Sequence, residues 1–254
     1  MNTIDELGDL TTFRNIIKGE ITEFVDDSII ELPDYAFYGC ISLTSVSFPN
    51  ATSIGSQAFS YCSKLTSVSF PNATSIGSQA FYMCKEITGA FFPNATTIGR
   101  YAFRDCRFVE VSFPNVTSII EYSFNYCEEL LTVSFPKVTT VGNSAFYGCS
   151  KLTNVDIPNA ITINSYAFSS CLKLVEVSFP NVTSINGHDV FSDATTTMYI
   201  GTETDTVCTL EKASAIPSRV TDIYVPSALV EQYKTATNWS NFADKIKAYT
   251  GEIA

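Results

Sequence analysis

Seven cysteines at an almost constant spacing are the residues of this sequence with the clearest potential for chemistry. They are Cys40, Cys62, Cys84, Cys106, Cys127, Cys149 and Cys171. Evenly spaced thiols could bind a metal or form disulfides, but the sequence contains no C-x-x-C pair of the kind that zinc sites use. Equivalent side chains of a stacked repeat point in parallel, whereas a disulfide needs Cβ atoms about 3.8 Å apart. We therefore expect free structural thiols, with no metal and no cofactor.

One histidine and three carboxylates are the remaining candidates for catalysis. His188 is followed by Asp189, but no nucleophile motif accompanies this pair. Glu110, Asp156 and Glu176 fall in different copies of a repeat. They are therefore not a close pair at fixed spacing, which glycoside hydrolysis requires. The sequence predicts a protein that is not an enzyme.

Composition and charge exclude further classes of function. The chain has 26 acidic against 15 basic residues and a net charge of −11, which argues against nucleic acid and anionic membrane surfaces as partners. No apolar run approaches the roughly 18 residues that a membrane-spanning helix needs. Neither a glycine-rich phosphate loop nor a nucleotide-binding motif is present. A protein or a glycan remains as the expected ligand.

The elements that would position any site come from an internal repeat of about 22 residues. Leu65–Phe81 repeats Leu43–Phe59 letter for letter, as LTSVSFPNATSIGSQAF. Within each copy, apolar residues such as Val68 and Phe70 alternate with serines, which predicts a strand with one face inward. Pro71 lacks an amide hydrogen and ends the strand. Single copies cannot bury this much apolar surface, so neighbouring copies must stack.

The second half of each copy predicts a turn that packs on the same core. Ile76 begins a short apolar segment and Gly77 interrupts it. Ala80, Phe81 and Cys84 follow at a spacing that suits a short helical or 3₁₀ turn. Phenylalanines recur with the same period, so we expect ring to lie on ring along the axis.

The pattern of a strand ending in proline, followed by T-x-I-G-x-x-A-F-x-x-C, resembles the BspA-like bacterial leucine-rich repeat. The match covers about residues 21–194. The resemblance implies an α/β repeat fold, a right-handed solenoid with a mostly parallel β-sheet, short helical or 3₁₀ turns and capped ends. It also implies a non-enzymatic adhesion module of a bacterial surface or secreted protein. Similar repeats occur in tail-associated proteins of phages and prophages of gut bacteria, which gives the alternative of a structural or receptor-binding tail component.

The start of the chain bears on this alternative. Met1 to Leu10 is acidic and polar and does not resemble a signal peptide. An adhesin must be exported, whereas tail proteins assemble in the cytoplasm and leave the cell at lysis. The expected location is extracellular or at the cell surface, with the virion as the alternative.

Three regions are expected along the chain. Residues 1–20 are predicted to form an N-terminal cap, and residues 21–194 a solenoid of about eight 22-residue coils. Residues 195–254 are predicted to contain degenerate coils and a helical C-terminal cap, with helical stretches at Ser227–Thr235 and Ser240–Tyr249. One residue is missing between Cys106 and Phe108, where we expect a turn that tolerates the deletion.

Two surfaces are candidates for binding. Outward positions of the predicted strands are mostly small and hydroxylic, and those that differ are Phe91, Glu110, Asn154, Asp156 and Glu176. The predicted turns are rich in tyrosine, and the candidates there are Tyr101, Tyr122 and Tyr126. Exposed tyrosines provide recognition area at a low entropic cost. Alternatively, these tyrosines stack on each other between coils.

Overall fold

The computed structural model describes residues 21–251, apart from the side chains of Ala90 and Phe91. The predicted N-terminal cap, residues 1–20, lies outside the described residues. The coils stack so that each strand pairs in parallel with the equivalent strand of the next coil. Ser45, Val46 and Ser47, for example, pair with the residues 22 positions later. The predicted parallel solenoid is confirmed.

The first strand of each coil contributes to the face that we call the strand face. Its strands are β1 Glu23–Val25, β3 Ser45–Ser47, β5 Ser67–Ser69, β7 Gly89–Phe91, β9 Glu110–Ser112, β11 Thr132–Ser134, β13 Asn154–Asp156, β15 Glu176–Phe179, β17 Thr197–Ile200, β19 Asp222–Pro226 and β20 Ile246–Tyr249. They form three parallel sheets of four, three and four strands, because β7 and β9 are not joined and neither are β13 and β15. The alternation of apolar and polar residues places Val46, Val68 and Val133 in the core.

A shorter second strand follows the proline turn of each coil. These strands are β2 Glu31–Leu32, β4 Ser53–Ile54, β6 Ser75–Ile76, β8 Thr97–Ile98, β10 Ser118–Ile119, β12 Thr140–Val141, β14 Thr162–Ile163, β16 Ser184–Ile185 and β18 Thr209–Leu210. They form two sheets, with a break between β8 and β10. This break and the one between β7 and β9 lie on either side of the missing residue between Cys106 and Phe108.

The third face of each coil, which we call the turn edge, differs in detail from the short helical turn expected there. Between Gly77 and Cys84, the amides of Gln79, Phe81 and Met83 donate to carbonyls of the next coil at 2.8–2.9 Å. The alternate amides close turns within the coil, such as Cys84 N to the Phe81 carbonyl at 3.1 Å. Gln79 and Met83 have positive φ angles of 57° and 59°, and these left-handed residues prevent a continuous helix.

Left-handed residues recur in register at the turn edge, and most of them are not glycine. They include Tyr35, Gln57, Tyr61, Gln79, Met83, Tyr101, Asp105, Tyr122, Tyr126, Ser144, Tyr166 and Ser170. Each costs on the order of 1 kcal/mol. The ladder of backbone hydrogen bonds to the next coil offsets this cost, because it satisfies amides that would otherwise be buried without partners. The ladder also crosses the break in the sheets, where Phe103 N donates to the Ser123 carbonyl at 2.9 Å.

The core consists of stacked phenylalanines and a row of thiols. Phe59 and Phe81, for example, lie 5.2 Å apart at an interplanar angle of 7°. All eight cysteines are buried and none forms a disulfide, and the thiol of each regular coil donates to a phenylalanine carbonyl of the preceding coil. Cys84 Sγ lies 3.1 Å from the Phe59 oxygen, and Cys127 Sγ lies 3.1 Å from the Phe103 oxygen. The thiols therefore act as small core residues with a satisfied donor.

The C-terminal part retains the coil but changes its connections. It contains 3₁₀ turns at Ala213–Ala215, Ser227–Leu229 and Trp239–Phe242, and one α-helix, α1, at Val230–Thr235. The helical prediction for Ser227–Thr235 is confirmed, but that for Ser240–Tyr249 is wrong beyond Phe242. Residues 246–249 form β20, which pairs with β19 from Ile223↔Ile246 to Pro226↔Tyr249. Pairing there satisfies the backbone edge of β19, which a helix would leave open.

Candidate binding site

The strand face presents two outward rows of side chains to solvent. Residues of one row follow each other from coil to coil in register, so Glu110 lies beside Thr132 and Thr132 beside Asn154. In the second row, Ser112 lies beside Ser134 and Ser134 beside Asp156. Parallel strands are about 4.8 Å apart, which brings these side chains within reach of one ligand.

A groove of about 670 Å³ lies across β9, β11 and β13. We call it the strand-face groove; it is lined by Phe92, Pro93, Glu110, Val111, Ser112, Pro114, Thr132, Val133, Ser134, Asn154 and Asp156. Three of the residues predicted from the sequence, Glu110, Asn154 and Asp156, therefore come together in one concavity. The groove begins at the break between β7 and β9.

The carboxylates of the strand-face groove are accessible and not neutralised. Glu110, Asn154 and Asp156 are all exposed. Ser134 Oγ donates to Asp156 Oδ2 at 2.8 Å, and neither Glu110 nor Asp156 takes part in an ion pair within residues 21–251. The groove therefore offers hydrogen-bond acceptors and negative charge beside the apolar walls of Phe92 and two prolines.

The two other strand-face candidates lie apart from this groove. Glu176, in β15, is exposed but does not line the groove. Phe91 belongs to β7, and its side chain lies outside the described part of the structure. The outward direction expected for Phe91 stays a prediction.

The tyrosines of the turn edge pack on each other and on arginines. The rings of Tyr101 and Tyr122 stack at 4.7 Å with an interplanar angle of 15°. The guanidinium of Arg100 lies 5.0 Å from the first ring and 5.3 Å from the second, and it also pairs with Glu121 at 3.3 Å. Tyr126 meets Tyr147 edge to face at 5.4 Å. These contacts agree with the alternative that the tyrosines stack between coils.

Arg104 is the centre of this packing. Its guanidinium lies 5.5–5.7 Å from the rings of Tyr82, Tyr101 and Tyr126 and pairs with Asp105 at 3.1 Å. Cation–π contacts of this kind contribute about 0.5–1 kcal/mol each at exposed sites. Because the stacked rings of Tyr101 and Tyr122 and the charges of the two arginines are already engaged, this part of the turn edge offers a ligand fewer unused groups than the strand-face groove does.

Sequence reasoning missed three tyrosines at the C-terminal end of the strand face. Tyr199 and Tyr224 stack at 4.9 Å with an interplanar angle of 13°, and Tyr249 meets Tyr199 edge to face at 5.9 Å. Partial burial, and next the charge of Glu176, raise the pKa of Tyr199. The alternation in T-M-Y-I and D-I-Y-V-P could have revealed the first two, since a tyrosine between two buried apolar residues of a strand must point outward.

A second, more open groove of about 1060 Å³ was also not foreseen. Its floor includes Asn159, Ile161 and Asn181, and its wall is the segment 202–206. Asn159 and Asn181 each donate their amide to a proline carbonyl of the preceding coil, at 2.7 and 3.0 Å. Those amide groups therefore hold the turns together, and the groove contains no aromatic side chain.

The residues with catalytic potential are engaged in structural contacts. Lys212 Nζ lies 2.5 Å from His188 Nε2, and Ser214 Oγ lies 3.1 Å from His188 Nδ1, so both ring nitrogens already have partners. Burial raises the pKa of the Cys127 thiol to about 12 and that of Cys208 to about 12, which keeps both protonated.

Among the described residues, no group of three or more metal-ligating side chains comes together. No helix described between residues 21 and 251 has the length and apolar character needed to cross a membrane.

Comparison with known proteins agrees with this geometry. Residues 10–129 and 96–209 match the BspA type leucine rich repeat region, which is found in six copies. A leucine-rich repeat protein from Bacteroides ovatus is 26% identical, with a TM-score of 0.70 over 82% of this chain. The chain covers only 60% of that protein's length. A leucine rich repeat protein from T. pallidum is 31% identical, with a TM-score of 0.56 over 60% of this chain and 78% of its own.

A third structure, a leucine-rich repeat protein from Eubacterium ventriosum, shares the fold alone. It is 20% identical, with a TM-score of 0.57 over 67% of this chain and 59% of its own. Among curated proteins, no match was found. The repeat matches extend over residues 10–209, which is most of the chain. The chain therefore belongs to the BspA type leucine-rich repeat family.

Proposed function

We propose that this protein is a non-enzymatic binding module of a bacterial surface or secreted protein, and that it holds a protein or glycan ligand in the strand-face groove. One observation carries the proposal. The groove gathers Glu110 from one coil and Asn154 and Asp156 from another into a single concavity of about 670 Å³, and all three side chains are exposed to solvent.

The shape of the molecule supports an adhesive role. Stacked repeats create an extended, rigid surface without a deep enclosed cavity. The hydrophobic stacks below it fix the outward rows at a constant spacing, so a ligand meets side chains that are already in place. Preorganisation of this kind lowers the entropic cost of binding. Catalysis has no comparable support, because His188 and the thiols of the regular coils are hydrogen-bonded within the fold.

Matched arginine substitutions on the strand face test this function. Ser112 lines the groove, whereas Ser47 occupies the same position in its own coil outside the groove. Beads coated with the protein should adhere to plates carrying a panel of glycoproteins, and Ser112→Arg should reduce adhesion at least tenfold. Ser47→Arg should leave adhesion unchanged. The same panel after enzymatic deglycosylation separates glycan from protein recognition.

Two results would count against the proposal. Equal adhesion of the Ser112→Arg and Ser47→Arg proteins would place the ligand elsewhere. Fractionation of the native host tests the location, because adhesion requires the protein outside intact cells. Sedimentation of the protein only with phage particles would instead support a tail component.

A further inference from the structure

The stacked rings of Tyr199 and Tyr224 end abruptly on one side. Both tyrosines are half-buried and lie at outward positions of neighbouring strands. On the side away from Tyr224, the residue in register with Tyr199 is Ser178. Tyr199 has ring contacts with Tyr224 and Tyr249 within the described residues, and neither lies on the Ser178 side. One ring face of Tyr199 is therefore not covered by another aromatic group.

On the side of Ser178 away from Tyr199, the next outward residue is an aspartate. Asp156 and Ser178 occupy equivalent positions in consecutive coils, 22 residues apart. The Ser178 side chain is small, so it leaves a slot between the Tyr199 ring on one side and Asp156 on the other. The slot also lies where β13 and β15 are not joined.

Polar groups converge on the same slot. Glu176 is two residues before Ser178 and therefore points outward from the same strand. Neither Glu176 nor Asp156 has an ion-pair partner in residues 21–251, whereas the nearby Asp222 is paired with Lys247. The slot thus combines one open aromatic face with two carboxylates that can accept hydrogen bonds.

We propose that this slot, made by Asp156, Glu176, Ser178 and Tyr199, binds one neutral pyranose ring of a saccharide. The apolar C–H face of the sugar packs on the electron-rich face of Tyr199, and its hydroxyls donate to the carboxylates. Charge excludes acidic sugars, because a uronate would face two carboxylates of the same sign. The inference deepens the proposed function and rests on it for the choice of the strand face. It places the sugar one strand beyond the strand-face groove.

A protein partner fits these residues less well. Protein hot spots place aromatic anchors within a desolvated apolar surface, whereas Tyr199 is bordered by Glu176, Ser178 and Asp156. A hydroxyl-rich ligand satisfies both carboxylates without needing a cation. The stacking of Tyr199 on Tyr224 also fixes the ring in advance, so little side-chain entropy is lost when the sugar binds.

Saturation-transfer NMR on the whole chain tests the proposal, with irradiation of the aromatic protons. The probes are methyl β-D-glucopyranoside, methyl β-D-galactopyranoside, methyl α-D-mannopyranoside and, as the acidic probe, D-glucuronate. At least one neutral pyranoside should bind with a dissociation constant on the order of 1 mM, as a ligand of this size allows. D-glucuronate should bind at least tenfold more weakly.

Substitutions in the slot test whether the sugar binds there and whether it stacks on the Tyr199 ring. Ser178→Tyr should continue the tyrosine stack by one strand and abolish sugar binding by filling the slot. Ser47→Tyr is the matched control at the equivalent position of another coil and should retain binding. Tyr199→Phe should also retain it, whereas Tyr199→Leu should weaken it at least tenfold. If Ser178→Tyr fails to fold, the Tyr199→Phe and Tyr199→Leu pair decides the result.

The proposal is overturned if no neutral pyranoside shows saturation transfer. It is also overturned if both Ser178→Tyr and Tyr199→Leu bind within twofold of the unmodified protein, or if D-glucuronate binds as well as the neutral sugars. These results leave the proposed function intact as long as Ser112→Arg still reduces adhesion. If Ser112→Arg did not reduce adhesion while sugar binding was retained, the proposed function of the groove would be rejected and the proposal for the slot would stand.

Discussion

The strand face and the turn edge both carry polar and aromatic side chains that repeat from coil to coil. They differ in whether those side chains are engaged by their neighbours. At the turn edge, Arg104 is surrounded by three tyrosine rings and paired with Asp105. On the strand face, Glu110 and Asp156 are exposed and lack ion pairs among the described residues. Equal spacing alone therefore does not identify a binding surface. The distinction is whether neighbouring coils already satisfy the side chain.

Alkaline pH should have the largest effect, because it acts on the thiols beneath both surfaces. Burial raises the pKa of Cys127 to about 12 and that of Cys106 and Cys149 well above the ordinary range. Unfolded thiols ionise near pH 8.5, so above that pH the unfolded state loses protons that the folded state keeps. The thiol contribution to stability should be constant below about pH 8 and then fall by up to about 1.4 kcal/mol per thiol and pH unit until the folded thiols ionise.

Urea unfolding between pH 7 and 10 measures this dependence. Tyrosines and lysines also titrate near pH 10, so the control is the Cys127→Ala protein, whose stability should fall less steeply over the same range. A slope that is identical with and without Cys127 would contradict the role assigned to the buried thiols.

Arg104→Ala should produce an intermediate effect and acts on the turn edge alone. The substitution removes three ring contacts and the ion pair with Asp105, so we expect a loss of about 1–2 kcal/mol in the free energy of unfolding. The matched control is Arg107→Ala, because Arg107 is exposed and has no ion pair in the described residues. Its loss should stay below about 0.5 kcal/mol. Urea unfolding measures both variants. Equal losses of unfolding free energy in Arg104→Ala and Arg107→Ala would contradict the stabilising role of Arg104.

Asp156→Asn should have the smallest effect on stability, because the side chain is exposed and its one side-chain hydrogen bond among the described residues is accepted from the Ser134 hydroxyl. We expect a change within about 0.5 kcal/mol, whereas adhesion in the glycoprotein assay should fall. Calorimetric unfolding and the adhesion assay give the two values. A stability loss as large as that of Arg104→Ala would mean that the strand face is also structural.

Much of the fold could be predicted because each coil repeats the same local rules. Alternation at Val68 and Phe70 fixes a strand, and the period of 22 fixes the stacking. The left-handed tyrosines, such as Tyr101 with φ of 57°, could not be predicted, since isolated chains disfavour that conformation. It is the hydrogen-bond ladder to the next coil that stabilises it. The pairing of β20 with β19 could not be predicted for the same reason. Residues 246–249 form a strand because the open edge of β19, distant in sequence, is available for pairing, and not because of their local propensity.

The candidate site was predictable only in part. Outward positions follow from alternation, so Glu110, Asn154 and Asp156 were placed on one face. Their concavity was not predictable, because the groove begins at the sheet break beside β7, and such a break depends on contacts between coils rather than on the alternation within one strand. The packing of Tyr122 against Arg100 likewise depends on contacts between coils.

One paired measurement tests the central claim most directly: adhesion and the free energy of unfolding, determined for the same set of variants from both surfaces. The strand-face variants are Ser112→Arg and Asp156→Asn, and the turn-edge variants are Arg104→Ala and Tyr122→Ala. We predict that the strand-face variants lose adhesion with little change in stability, and that the turn-edge variants lose about 1–2 kcal/mol of stability with little change in adhesion. Loss of adhesion in the turn-edge variants, with the strand-face variants unaffected, would contradict the account.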